Sequence, residues 1–473
     1  MPQLNRHTAD QPQTLPVKIL QFGEGNFLRA FVDWIVDIMN EKTDFYGAID
    51  VVQPISRGMA AQLREQDGLY HVVLNGLQQG RTVSETRLIT CVADAFNPYD
   101  DFERFLERAR NPELRFILSN TTEAGITFHA ADANPNTLAD SFPGKVTQLL
   151  YHRFQTFQGD AEKGLILIPC ELIEKNGDKL RETVLQYADH WQLPTAFKQW
   201  IQTANTFCNS LVDRIVPGFP KDTIRDIQQA VGYTDNLVVT AEPFHLWVIE
   251  APAAVQQAFP ADQAGLQVKF VQDLTPYRTR KVRILNGAHT ALVPVAYLRG
   301  LRTVREAVED NYTGTFLREA IYQEIIPTLD LPASELEQFA ADVMERFQNP
   351  FIRHELSSIA LNSISKYKVR VLPSVLEYYA RQGTLPEKLL HALAALILFY
   401  KGTHQGETLP VNDTPEILEF FARVWKTGDA DYVVRETLAN TAFWDQDLTQ
   451  LPGLLARVTH YIHAYETTAS PAV

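Results

Sequence analysis

The stretch KVRILNGAHT, residues 281–290, gathers a lysine, an asparagine and a histidine on what reads as one helix. At about 100° per residue, Asn286 and His289 fall one turn apart on one side, with Lys281 about 80° from His289 around the axis. Reduction of a ketone needs a hydride donor, a proton donor beside the new alkoxide and dipoles facing the developing negative charge. Lys281 fits the proton donor, Asn286 the amide that polarises the carbonyl, and His289 the group that positions an oxygen. An unperturbed lysine, with pKa near ~10.4, is a poor proton donor at neutral pH, and desolvation or nearby positive charge lowers it. PYRTRKVR supplies such charge, with Arg278, Arg280 and Arg283 flanking Lys281 and no acid among them. A polar stripe of an amphipathic helix is the competing reading of all three.

A second basic stretch, SKYKVR, carries Lys366, Lys368 and Arg370, again without an acid between Leu356 and Pro373. The chain as a whole has a net charge of −14, so two acid-free basic stretches point to an anionic substrate. A solvated helix face explains Lys368 and Arg370 equally well. The same net charge argues against nucleic acid or an anionic membrane as a partner.

A third feature lies near the start. VKILQFGEGNFLRAF places Gly23-x-Gly25 directly after an apolar strand and before an amphipathic helix. In that context glycines let backbone approach a dinucleotide pyrophosphate, and the helix N-terminus supplies free N–H groups. Leu28 stands where a third glycine is usual, so a plain tight turn is the alternative. Arg29, one helical turn in, reads as a phosphate partner. Gln53 ends the second strand where an acid would bind the adenine ribose. Arg57 nearby leaves room for a 2′-phosphate, so the preference for NAD is a weak one.

These residues need a scaffold. Strands at Val17–Phe22, Ile49–Val52, Phe116–Leu118 and Leu165–Ile168 alternate with helices, and the last two end in polar loops. This is the pattern of a parallel, doubly wound α/β domain, assigned to residues 1–273. Residues 274–473 read as mainly α-helical, with long helices at Leu301–Ile326, Ala333–Phe347, Pro386–Tyr400 and Pro415–Trp425. A length of 473 residues, 45% of them hydrophobic and 21% charged, accommodates two such domains. Cys91, Cys170 and Cys208 are scattered and odd in number, which fits a reducing cytosol and no disulfide framework. No Cys/His cluster or HExxH indicates a metal site. The N-terminus lacks an apolar signal region, and no apolar run reaches the ~20 residues of a membrane span. A cytoplasmic protein is expected.

QFGEGNFLRAF, SNTTEAGI, NSLVDRIVPG and KVRILNGAHTAL together resemble the mannitol dehydrogenase family of long-chain polyol dehydrogenases, over about Val17 to Leu454. The resemblance implies a Rossmann-like domain followed by a helical one, with the active site in the cleft between them. It implies zinc-independent, reversible hydride transfer between NAD and a keto-hexuronate. Catalysis falls to Lys281, Asn286 and His289, the family's K-x4-N-x2-H signature. Cofactor binding falls to Ile19, Gly23, Glu24, Gly25, Asn26, Phe27, Arg29 and Glu123. Polyol-oxidising relatives carry S-C-D-N after the fourth major strand, whereas this chain has Pro169-Cys170-Glu171-Leu172. The oxyanion contact then rests on Asn286, or on Asn176 further along the loop. Lys366, Asn176 and Arg283 are the expected substrate-binding residues, and Asp213–Arg214 reads as structural. The expected partner is the small-molecule substrate alone, with the enzyme a monomer or weak oligomer. A neutral polyol or fructuronate as substrate, and a non-catalytic nucleotide-binding regulator, are the alternatives; the intact signature argues against the last.

Overall fold

The computed structural model describes residues 1–12, 15–122 and 124–467. The chain divides into two compact units, Met1–Leu274 and Thr275–Val473.

The first unit is built on a parallel sheet. Its strands β1 (Val17–Phe22), β2 (Ala48–Val52), β5 (Val92–Phe96), β6 (Phe116–Ser119), β7 (Ile166–Pro169) and β8 (Thr206–Phe207) run in the order β5-β2-β1-β6-β7-β8. That is the doubly wound arrangement, in which the strand order reverses beside β1. Successive β1 side chains serve opposite faces: Ile19 enters one core with Val51, Phe116 and Ile168. Leu20 and Phe22 enter the other with Val52, Ile117 and Leu167. Burial on both faces is why these strands read as near-continuous apolar runs. The helical stretch Asn26–Lys42 covers the first face, and Phe142–Thr156 and Asn176–His190 cover the second.

The strand pattern misses two smaller sheets. Strands β3 (Tyr70–Gln78) and β4 (Arg81–Ile89) form a hairpin whose two turn residues, Gln79 and Gly80, both have positive φ. β10 (Val239–Ala241) pairs with β3. β9 (Asn209–Asp213) and β12 (Val268–Val271) flank β11 (Leu246–Glu250). Most side chains of β4 are exposed, so its sequence RTVSETRLI is too polar to stand out as a strand.

The second unit is helical apart from a two-stranded hairpin, Thr403–His404 with Glu407–Thr408. Glu387–Phe399 is apolar almost all round and buried over most of its length. It packs against Gly287–Leu298 on one side and Leu454–Thr467 on another. The long helix expected over Leu301–Ile326 is broken. Thr303 and Glu306 form a capping box that starts Val304–Glu309, and Asp310 caps a separate helix, Asn311–Glu319. Caps of this kind satisfy first-turn N–H groups and so define new helix starts inside a continuous apolar pattern. No helix among the described residues is long and apolar enough to cross a membrane.

Candidate active site

Thr275–Leu298 is helical throughout, but its middle is not an α-helix. Residues Lys281–Asn286 form a π-helical segment between α-helical Thr275–Arg280 and Gly287–Leu298, and the Gly287 N–H reaches back to the Val282 carbonyl. In an α-helix, residues five apart diverge by about 140° around the axis. In a π-turn the hydrogen-bonding step is itself five residues, so residue i+5 sits over residue i. The x4 spacing of Lys281 and Asn286 therefore stacks them on one face, which corrects the placement expected for a uniform α-helix. π-bulges recur at functional sites.

Asn286 is partly exposed, and its side-chain amide makes no hydrogen bond among the described residues; only its backbone carbonyl is engaged, by Thr290 Oγ1 at 2.9 Å. The amide is thus open to an incoming oxygen. One turn on, the partly buried His289 ring stacks on Phe347, with centroids 4.1 Å apart, and meets His354 edge-on at 5.1 Å. Burial holds the His354 imidazole below the ordinary histidine pKa, so it is a neutral neighbour. Gly287 has a structural reason of its own: a Cβ there would stand 3.0 Å from the Arg370 carbonyl oxygen, where Ser363–Arg370 crosses the helix.

The two basic stretches are less uniform in space than in sequence. Arg280 is buried, paired with Glu335 at 2.8 Å and stacked over Phe339. An acid from another helix thus meets a stretch that carries none. Arg283 donates to the Val369 carbonyl at 2.7 Å, which ties the signature helix to Ser363–Arg370. Lys368 pairs with Asp445 at 2.6 Å, the solvated role that the sequence leaves open. Lys366 donates to the Ile359 carbonyl at 2.8 Å, and burial with Arg370 lowers its pKa against the pull of Asp413. An ammonium has three donors, so a fixed Lys366 retains two for a ligand.

In the first unit, the Gly23–Gly25 turn lies at the carboxyl end of β1. Gly23 has φ +123°, a conformation side chains rarely adopt, and a Cβ there would press on Leu28 and the Asn120 carbonyl. Gly25 is exposed, caps the helix with no side chain, and a Cβ on it would have no atom within 4 Å. This is a cradle with open space over uncapped N–H groups, the feature a pyrophosphate requires. Asn26 and Phe27 border it, Asn26 against Gly218 and Phe27 stacked on Phe31 at 5.0 Å.

Several expected cofactor contacts belong instead to the fold. Ile19 is wholly buried mid-strand and faces the core. Arg29 is 1% exposed and donates to the carbonyls of Glu24 and Leu237 and to Asn26 Oδ1. Burial lowers its pKa, and its guanidinium is engaged by the turn and by Leu237. Glu24 is buried and accepts from the Met59 N–H at 3.1 Å, drawing the loop after β2 against the turn; burial raises its pKa. Gly58 serves that contact, since a Cβ there would collide with Glu24 Oε1. Gln53 is likewise occupied within this loop, by the Ile55 carbonyl and the Ala60 N–H. Glu123 lies outside the described residues.

Asn176, expected at the substrate, has its amide engaged by the fold in the same way. It is fully buried; its amide donates to the carbonyls of Pro169, Glu171 and Ser210 at 2.9, 3.0 and 3.1 Å, and its oxygen accepts from the N–H groups of Gly177 and Ser210. Glu171, which the sequence offers only as a departure, is the organiser of this edge. Its buried carboxylate accepts from Ser119 Oγ and from the backbone and hydroxyl of Thr121, joining the ends of β6 and β7. Leu172 is 63% exposed in the place of the missing asparagine. Phe347, His354 and Glu171 carry no signature in sequence; only their contacts reveal them. Arg214 is structural, donating to the Glu242 and Ala30 carbonyls above Trp34. Among the described residues no group of three His, Cys, Asp or Glu side chains is placed to hold a metal.

Residues 17–262 match the mannitol dehydrogenase Rossmann domain and residues 273–466 the mannitol dehydrogenase C-terminal domain, so the chain belongs to the mannitol dehydrogenase family. It is an oxidoreductase acting on CH–OH groups. An altronate oxidoreductase of Phocaeicola vulgatus is 51% identical over 460 residues, covering 97% of this chain and 96% of that protein. An altronate oxidoreductase of Bacillus subtilis is 50% identical over 469 residues, covering 98% and 96%. The fold is shared with a D-sorbitol dehydrogenase in substrate-free form, at TM-score 0.83, 24% identity and 98% coverage of both chains. It is shared also with Pseudomonas fluorescens mannitol 2-dehydrogenase, in a ternary complex with NAD and D-mannitol, at TM-score 0.67, 22% identity and 98% and 97% coverage.

Proposed function

We propose that this chain catalyses the NAD-dependent, reversible reduction of D-tagaturonate to D-altronate in hexuronate catabolism, as a cytoplasmic monomer or weak oligomer. The observation that carries the reading is the π-helical segment Lys281–Asn286, which sets these two residues one π-turn apart, on a chain half identical to altronate oxidoreductases along its length. The Gly23–Gly25 turn, with the first N–H groups of Asn26 and Phe27, would hold the dinucleotide, which supplies the hydride. The residues of the chain do the rest. The Asn286 amide donates to the keto oxygen and stabilises the charge that develops there. Lys281 gives that oxygen its proton during reduction and takes it back during oxidation. His289, fixed between Phe347 and His354, holds an oxygen of the substrate in register. Lys366 meets the carboxylate, and the exposed Leu172 contributes no competing amide.

The test is a panel of D-tagaturonate, D-fructuronate and D-fructose, reduced with NADH and with NADPH. Tagaturonate with NADH should give the highest kcat/KM. A higher value for fructuronate moves the assignment to its reductase. Equal values for fructose and the uronates move it to a neutral polyol dehydrogenase.

A further inference from the structure

The C-terminal unit contains a cavity of about 430 Å³ that the proposed reaction does not use. It opens at the far end of the signature helix, lined by Leu298 and Arg299. Asn286 and Leu298 are twelve residues apart, about 18 Å along an α-helix. The cavity is therefore separate from Lys281, Asn286 and His289.

Its chemistry is one-sided. Arg299, Lys388, His404 and His460 line it, and no aspartate or glutamate does. Carboxylates act on these groups from outside the lining: Glu319 pairs with Lys388 Nζ at 2.7 Å, Asp310 is drawn down in pKa in part by Arg299, Glu407 acts on His404, and Glu387 accepts from the Tyr461 hydroxyl at 2.6 Å. In a chain with net charge −14, this lining holds two permanent cations, Arg299 and Lys388, and no acid. Arg299 is exposed, with its guanidinium over the Tyr312 ring at 4.2 Å from the centroid, and a guanidinium held on a ring face can present its N–H groups to an anion.

The remaining walls are aromatic. His391 stacks on Tyr461 with centroids 4.9 Å apart and planes 18° from parallel, and its Nε2 is 2.8 Å from the Tyr465 hydroxyl. Burial pushes the His391 pKa down to about 4, so at neutral pH it is an uncharged ring. Tyr312, 46% exposed, is a second ring of the wall and meets His391 edge-on, with centroids 6.4 Å apart. Rings of this kind are platforms on which a heteroaromatic ring stacks, and Arg with Lys is the usual pairing for phosphate. The volume lies within the range of small-molecule sites.

We propose that this cavity binds a mononucleotide-class ligand, its phosphate against Arg299 and Lys388 and its ring against the tyrosine walls. The full-length protein, saturated with NAD so that the Gly23–Gly25 turn is filled, is titrated calorimetrically with AMP, adenosine and inorganic phosphate. AMP should bind at one site at least about ten times more tightly than adenosine or phosphate, since each probe lacks one half of the recognition. Arg299→Ala and Lys388→Met should each weaken AMP by about ten-fold or more, with the melting temperature of Arg299→Ala unchanged because that side chain is exposed. Three results overturn the proposal: AMP binding that vanishes when NAD is present, AMP no tighter than adenosine, or affinity unmoved by both substitutions. No AMP binding up to millimolar concentration overturns it equally.

Discussion

Two asparagines that the sequence offers for the same job should respond to removal in opposite ways. The Asn286 side chain takes no part in hydrogen bonding among the described residues, so the fold does not depend on it. Asn286→Ala should change stability by less than about 1 kcal/mol, since alanine is the better helix former. Its catalytic cost should be that of a lost oxyanion donor, about 10²–10³ in kcat, or roughly 2.7–4 kcal/mol. Asn176→Ala removes an amide whose two N–H donors are shared among three carbonyls and whose oxygen accepts two hydrogen bonds, in a fully buried site. Each such bond is worth about 0.5–1.5 kcal/mol net, and each orphaned buried group costs about 1–3 kcal/mol. A loss of at least about 3–5 kcal/mol follows, which at about 2–4 °C per kcal/mol lowers the melting temperature of the first unit by roughly 6–20 °C. Any loss of activity should track the loss of folded protein. The assay pairs steady-state keto-uronate reduction with a thermal melt of each variant. The reasoning fails if Asn286→Ala keeps turnover within three-fold of wild type. It fails too if Asn176→Ala melts normally while turnover collapses, because Asn176 would then act on substrate.

Lys281→Ala should lower kcat by several orders of magnitude with cofactor affinity nearly unchanged, and small added amines should restore part of it; a variant with near-normal turnover would remove Lys281 as the proton donor. Gly25→Val should melt like wild type yet bind NADH at least about ten-fold more weakly, because its side chain would enter only the open space over the turn, whereas Gly23→Ala should lose stability through its φ of +123°. Lys366→Met should reduce the preference for a keto-uronate over the neutral ketose by about ten- to 150-fold, the value of one charge-assisted hydrogen bond of roughly 1.5–3 kcal/mol; equal ratios for wild type and variant refute the carboxylate contact. Burial raises the pKa of Asp33 from the ordinary aspartate range to about 7, although Tyr70 donates to it. Its protonated form is favoured in the fold, so this contribution is complete below the unfolded pKa and is lost as pH rises through about 7. Asp33→Asn should therefore flatten the fall in melting temperature between pH 4 and pH 7, and an unchanged slope would exclude Asp33 as its source.

Local sequence determined much of this protein because some of its constraints are local. Strands buried on both faces must be continuously apolar, so β1, β2, β6 and β7 are legible as runs, and with them the doubly wound sheet. A glycine at Gly23 is legible because only that residue takes the turn without strain. The K-x4-N-x2-H residues are legible as types and spacings. Their geometry is not, since a helical pattern does not announce where the hydrogen-bonding step changes from four residues to five; the π-segment decides that Lys281 and Asn286 share a face. β4 hides because an exposed strand keeps few apolar residues. The partners of the polar residues are visible only in three dimensions. Arg29, Glu24 and Asn176 look like ligand contacts in a linear reading, but burial obliges each to satisfy its hydrogen-bonding groups, and the nearest partners are backbone groups distant in sequence. Glu335, on a helix, and Asp445, just past the end of another, meet Arg280 and Lys368 from segments that no window around the basic stretches includes. Charge counted along the chain therefore overstates the charge available to a substrate, and only the folded packing shows which cations remain free to act.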